Sequence, residues 1–299
     1  MKHTYGVRLI TTLATLFVLL TVGCSEDAKQ TPDARPPDLQ AVDASAPDRA
    51  LSDQRPPDQK KQSDQKKLSD QKAPPQKLKV LFVGNSYTFV NDLPTLVSKL
   101  AQAAGAPALT VDSATGGGLR MQNHWANAAT LKKIDTGGWT HVVLQGQSME
   151  PVCAYVNFGT YAKKLGDRVK KAGATPVFFM TWARKAGSND YKQWPCTGGD
   201  AKTMQKGLRE AYTKAAKATG GVVAPVGDAW EKVLTAAPST ALHSGDGSHP
   251  SMLGSYLAAC VFYATMGKRK CTGNTFVPAG VGAAAAKTMQ KAADDTVKP

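Results

Sequence analysis

Five short runs of nearly uninterrupted apolar character, at 78–83, 109–112, 141–145, 176–181 and 222–226, are each separated from the next by a segment of helix length. Strands that are apolar throughout are buried on both faces, and strands joined by helical crossovers run parallel. The pattern therefore predicts an α/β domain over 78–299, a parallel sheet covered by helices on both sides. Helices are expected over 93–104, 161–172, 201–218, 251–266 and 283–293, the last alanine-rich and placed as a final covering helix. With 42% hydrophobic and 20% charged residues, a fibrous chain or one disordered throughout is excluded.

The chain before this domain reads differently. Lys2 and Arg8 precede an apolar run over 9–22 that ends in Gly23-Cys24, which is the pattern of an export signal over 1–24. The run is short for a membrane-spanning helix. Its end, Leu20-Thr21-Val22-Gly23-Cys24, resembles the lipobox of bacterial lipoproteins, with Thr21 where that motif usually has leucine. That resemblance makes Cys24 a lipid anchor; ordinary signal cleavage leaves it a spare thiol. Ser25 follows rather than aspartate, which points to the outer membrane or cell surface. From 25 to 77 there is no aromatic residue, glycine or cysteine, while eight of the 18 prolines fall there. Such a stretch cannot build a core, and it reads as a tether, about 40 Å end to end as a coil.

Within the domain, ligands of an open parallel sheet meet loops beyond the carboxyl ends of the strands. After the first strand stands Gly84-Asn85-Ser86, a hydroxyl just past the sheet edge. A serine there is commonly a turn or capping residue, so it needs a base to count as a nucleophile. His141 opens a strand and His124 lies beside Trp125 in a helical stretch, both read as structural or surface residues. His249 alone has a carboxylate at a spacing that one short loop can present, in Asp246-Gly247-Ser248-His249, before Pro250. An aspartate can fix the imidazole tautomer and leave the other nitrogen to take a serine proton.

Gly84-Asn85-Ser86, the cluster Gly116-Gly117-Gly118, Leu144-Gln145-Gly146-Gln147-Ser148 and Asp246-x-x-His249, in that order after successive elements, resemble the SGNH (GDSL-type) hydrolase superfamily over essentially the whole domain. The resemblance implies a three-layer α/β/α sandwich of flavodoxin-like type, with esterase, lipase or carbohydrate-deacetylase activity and no metal or other cofactor. It makes Ser86 the nucleophile, His249 the general base and Asp246 its orienting carboxylate. For the oxyanion hole it implies the Ser86 amide, an amide from Gly117 or Gly118 in preference to Gly116, and a side-chain amide from the third block. Two departures stand out. Asn85 replaces the commoner aspartate, and the third block lacks the usual asparagine. Gln-Gly-x-Ser is similar to the sialate and xylan O-acetylesterase branch, which makes Gln145 the first candidate donor and Gln147 the second.

Four further cysteines in an exported domain favour two disulfides. Cys153 and Cys196 follow neighbouring strands at one sheet edge, and Cys260 and Cys271 bracket a helix end, so they are paired in that way. Trp182, Trp194 and Tyr155 are candidates for a sugar-stacking wall or for core packing. Glu150 is read as an exposed loop carboxylate. Lysine and arginine outnumber aspartate and glutamate by 37 to 23. The helices bearing Lys163, Lys170, Lys202 and Lys206 read as solvated faces, with an acidic polysaccharide as the remaining anionic partner and no nucleic acid. The expected partners are an acylated carbohydrate or other small ester and, through the anchor, a membrane. A metal held by Asp246, His249 and His243 lacks a further ligand. The remaining alternative is a binding lipoprotein that keeps this fold without catalysis.

Overall fold

The computed structural model describes residues 77–106 and 109–299. The export segment with Cys24, and the tether apart from Lys77, lie outside the described residues. In chain order the elements are β1 (Lys79–Gly84), α1 (Ser86–Phe89), α2 (Leu93–Ala103), β2 (Thr110–Thr115), α3 (Met121–Ala126), α4 (Ala128–Thr136), β3 (His141–Leu144), α5 (Glu150–Cys153), α6 (Tyr155–Lys171), β4 (Thr175–Phe179), α7 (Asp190–Gln193), α8 (Ala201–Thr219), β5 (Val222–Ala224), α9 (Val226–Ala236), α10 (Met252–Gly267) and α11 (Ala283–Val297).

The strands pair in the order β2-β1-β3-β4-β5, every pair parallel. Because strand side chains alternate, Val80, Phe82, Val143, Val177 and Phe179 join the cluster with α2, α9, α10 and α11. Leu81, Val83, Val142, Leu144 and Phe178 join the opposite cluster, with α3, α4, α6 and α8. This is the expected three-layer sandwich. Every residue from Gly254 to Met266 of α10 is buried, as a helix apolar on all sides must be. Phe262 sets its ring edge-on to Phe82 and Phe179, with centroids 5.5 and 4.8 Å away. Disulfides join Cys153 to Cys196 and Cys260 to Cys271, the pairing expected from position.

All five strands fall where the apolar runs place them, with β2 extending to Thr115. The helices differ more. α6 begins at Tyr155 rather than 161, and α9 occupies a segment whose first residue, Val226, was assigned to the fifth strand. Pro225 and Gly227 hide that helix, yet Val226, Ala229, Trp230 and Val233 bury one face at helical spacing. Gly227 is required by packing: a β-carbon there would lie 2.1 Å from the Thr181 carbonyl oxygen.

Chain order reverses around β1, whose neighbours β2 and β3 lead away in opposite directions. Gly84 ends level with Thr115, and Val83 with Leu144. The loops after β1, β2 and β3 therefore lie together at the carboxyl edge of the sheet, at a topological switch point, where ligands bind in sheets of this kind.

Candidate active site

The turn from β1 into α1 is built around two side-chain amides. The Asn85 backbone N–H donates to Gln145 Oε1 at 3.0 Å, and Gln145 Nε2 returns a bond to Asn85 Oδ1 at 2.7 Å. Asn85 Oδ1 also accepts from the Tyr87 N–H at 3.0 Å, capping the helix on which Ser86 is the first residue. Its Nδ2 donates to the Leu119 carbonyl at 3.2 Å, tying the glycine loop to the serine. An aspartate could not make that last bond, which is the local use of the departure at 85. Thr88 Oγ1 adds a bond to Gln145 Oε1 at 2.8 Å. Gln145 passes so close to the strand end that a β-carbon on Gly84 would lie 2.5 Å from its Oε1.

The second half of the site comes from the loop before α10. Asp246 Oδ1 accepts from the Ser248 and His249 backbone amides, each at 2.9 Å, and from Ser244 Oγ at 2.8 Å. Its Oδ2 lies 2.5 Å from His249 Nδ1. Gly247, with φ of +67°, closes the turn. Partial burial pushes the Asp246 carboxyl up, but the bonds from His249, Ser248 and Ser244 outweigh it and hold the group well below the usual carboxylate range. An ionised Asp246 accepts a hydrogen bond from His249 Nδ1–H, leaving Nε2 as the acceptor. His249 Nε2 stands 2.8 Å from Ser86 Oγ, across 163 positions of sequence.

The loop is held from beneath. Trp182 Nε1 donates to the Ser248 carbonyl at 3.0 Å, and the Lys185 amide to the Gly247 carbonyl at 2.9 Å. Tyr87 stacks on Trp182 at 4.6 Å and Trp182 on Trp230 at 3.9 Å, while the His249 ring stands edge-on to Tyr87 at 5.6 Å. Asn91, in the left-handed region at φ 58°, donates to the Pro250 carbonyl at 3.2 Å and to Ser255 Oγ at 3.0 Å. Asparagine tolerates that conformation better than most residues.

Among the described residues, the candidate oxyanion donors differ in how their N–H groups are used. Ser86 opens α1, so its N–H has no acceptor within the helix. The Gly116 N–H bonds the Gly84 carbonyl at 3.4 Å, whereas the Gly117 and Gly118 amides find no backbone acceptor among the described residues. The expectation for Gln145 needs correction. It is buried, and its two amide hydrogens go to Asn85 Oδ1 and the Gly146 carbonyl, so none remains to donate. Gln147 Nε2 makes one bond, to Ser148 Oγ at 3.1 Å, and keeps a hydrogen.

Other expectations change too. Glu150 is buried rather than exposed; its carboxylate accepts from Asn157 Nδ2 at 2.8 Å and from the Gln147 amide at 3.3 Å, bracing the third block. Trp182 belongs to the core, and of the candidate wall residues Trp194 is the exposed one, at 44%. His124 is buried and donates Nε2–H to the Gly84 carbonyl at 2.9 Å. His243 sits by the Ala183 carbonyl at 3.0 Å with its ring against Trp230. Burial pushes both imidazoles down, toward the neutral form. Among the described residues no three His, Cys, Asp or Glu side chains converge as metal ligands would. Sequence reading missed Arg184, which is buried amid these loops, because the three hydroxyls it meets lie 36 to 97 positions away.

Neither a family model nor a curated protein matches the chain. Solved structures do. The chain is 30% identical to a protein assigned to the SGNH hydrolases from Slackia heliotrinireducens, over 64% of this chain and 100% of that one, with a TM-score of 0.55. It is similar in fold to a DUF4886 family protein from Bacteroides uniformis, at 20% identity over 75% of this chain and 95% of that one, with a TM-score of 0.62. A protein described as a GDSL-like lipase from Parabacteroides merdae matches at 15% identity over 65% and 97%, with a TM-score of 0.51.

Proposed function

The chain belongs to the SGNH hydrolase superfamily, and from that premise we propose that it is a serine esterase that removes small acyl groups, acetyl foremost, from a carbohydrate. The reading is carried by one observation: Ser86 Oγ, His249 and Asp246 form a continuous hydrogen-bonded relay, with contacts of 2.8 and 2.5 Å.

In this mechanism Asp246 accepts a hydrogen bond from His249 Nδ1–H, so Nε2 takes the hydroxyl proton as Ser86 Oγ attacks the ester carbonyl. The carbonyl oxygen becomes an oxyanion facing the amides of Ser86 and of Gly117 or Gly118, with Gln147 as the side-chain donor. One such donor contributes about 3 kcal/mol to the transition state. The imidazolium then gives its proton to the leaving alkoxide, and the acyl group stays on Ser86. Water, deprotonated by the same imidazole, attacks the acyl-enzyme; carboxylic acid leaves and the serine proton is restored.

The acetyl assignment follows the likeness of Gln145-Gly146-Gln147-Ser148 to the O-acetylesterase branch. A sugar as the alcohol side is supported by exposed aromatic surface beside these loops, Phe89 at 45% on the nucleophile's own helix and Trp194. On the same reading an acylated Cys24 anchors the domain to the envelope, with the segment 25–77 as spacer. The test is release of acetate from an aryl acetate and from acetylated xylan, sialic acid, peptidoglycan and pectin. Ser86→Ala should lower turnover about 10⁴-fold or more with the melting temperature unchanged. Turnover at the wild-type rate in that variant removes the mechanism, and an inert wild type leaves a binding protein.

A further inference from the structure

Arg184 lies in the loop after β4, and its guanidinium reaches α1 and two other loops. Nη1 donates to Tyr87 Oη at 2.5 Å and also to Ser248 Oγ, while Nη2 donates to Ser148 Oγ at 3.0 Å. Nε lies 2.7 Å from Asp190 Oδ2, an ion pair that balances the buried charge. Arg184 is only 9% exposed, and its own carbonyl is held by Tyr191 Oη at 2.5 Å.

The three residues it addresses are sequence neighbours of the candidate machinery. Tyr87 follows Ser86, Ser148 follows Gln147, and Ser248 precedes His249. A guanidinium can only donate, so Tyr87 Oη accepts from it. Burial keeps the Tyr87 phenol protonated, and its O–H is thereby directed to Ser248 Oγ, 2.7 Å away. Ser248 is thus fixed at its hydroxyl by Arg184 and Tyr87 and at its carbonyl by Trp182. A planar fork with five N–H groups can meet several acceptors in fixed directions; an ammonium on a flexible stem cannot hold that geometry.

We propose that Arg184 is the positioning residue of this site, setting the nucleophile turn, the third-block loop and the base loop in mutual register without touching substrate. The inference rests on the proposed esterase reading. It assigns to one buried cation the alignment that the three catalytic side chains do not provide among themselves.

The test compares full-length wild type, Arg184→Met and Arg184→Lys on an aryl acetate, with melting temperature and disulfide content measured alongside. Misalignment on the ångström scale costs on the order of 10²-fold. Arg184→Met is therefore expected to lower kcat about 100-fold with KM within about threefold, and Arg184→Lys to recover part of that loss. Guanidinium ion added to Arg184→Ala should restore some kcat and leave wild type unaffected, a response that a merely structural role would not give. An Arg184→Met protein that folds and turns over within about twofold of wild type overturns the proposal. If Arg184→Met does not fold, Tyr87→Phe with Ser248→Ala decides: a fall in kcat of about tenfold supports the assignment, and turnover within twofold overturns it. Absence of wild-type hydrolysis defeats the esterase reading and this inference with it, whereas an active wild type with an indifferent Arg184 defeats the inference alone.

Discussion

The turn that carries Ser86 is walled in, with Asn85 3% and Gln145 1% exposed, whereas the turn that carries His249 stands partly in solvent, its Asp246 side chain 49% and its His249 side chain 37% exposed. The first is positioned by a compact exchange between two amides, Asn85 and Gln145, and by a helix start. The second takes its shape from its own carboxylate and its placement from residues beneath it, Trp182, Tyr87, Arg184 and Asn91. Half of the site is therefore held by a buried network around Asn85 and Gln145. The other half is rigid only as far as its supports are. A buried amide left without its partner costs stability, whereas a misplaced half-exposed imidazole costs rate.

Two substitutions separate these cases. Asp246→Asn keeps the size of the side chain but loses the negative charge that stabilises the imidazolium and sets its tautomer. Turnover of an aryl acetate should fall about 10³- to 10⁴-fold, while the denaturation midpoint barely moves. The pH dependence carries a sign. Because Asp246 is held below its ordinary value in the folded protein, its contribution to stability is present above about pH 4 and fades as the pH falls through the lower folded value. Its exposure keeps that contribution small. Wild type and Asp246→Asn should accordingly differ little in stability at neutral pH, and a large gap there would contradict the division between the halves.

Gln145→Leu works the other way. It leaves the Asn85 N–H and the Thr88 hydroxyl without their buried acceptor, so unfolding free energy should drop by about 2–4 kcal/mol. Urea denaturation reads this directly. A Gln145→Leu protein as stable as wild type but short of activity would instead mean that Gln145 serves the transition state.

Much of this architecture was legible in the chain. Parallel strands buried on both faces have to be apolar throughout, which is why all five could be placed, and Asp246 and His249 lie close enough in sequence for one turn to declare them a pair. Gln145 was misassigned because the sequence records an amide side chain at the sheet edge and not the Asn85 side-chain oxygen and the Gly146 carbonyl that accept its two hydrogens. Glu150 looked like an exposed loop carboxylate because Asn157, which covers it, arrives one helix later. Arg184 gave no signal because the hydroxyls that hold its guanidinium come from three distant segments, at Tyr87, Ser148 and Ser248. Local chemistry is written locally, and the contacts that align it are written across the fold.

The most direct measurement of the central claim is active-site labelling of the full chain with a fluorophosphonate, followed by peptide mapping. The account predicts one label per molecule, on Ser86, formed far more slowly in His249→Ala although the serine is still present. Labelling at another serine, or at an undiminished rate on Ser86 without the imidazole, would contradict it.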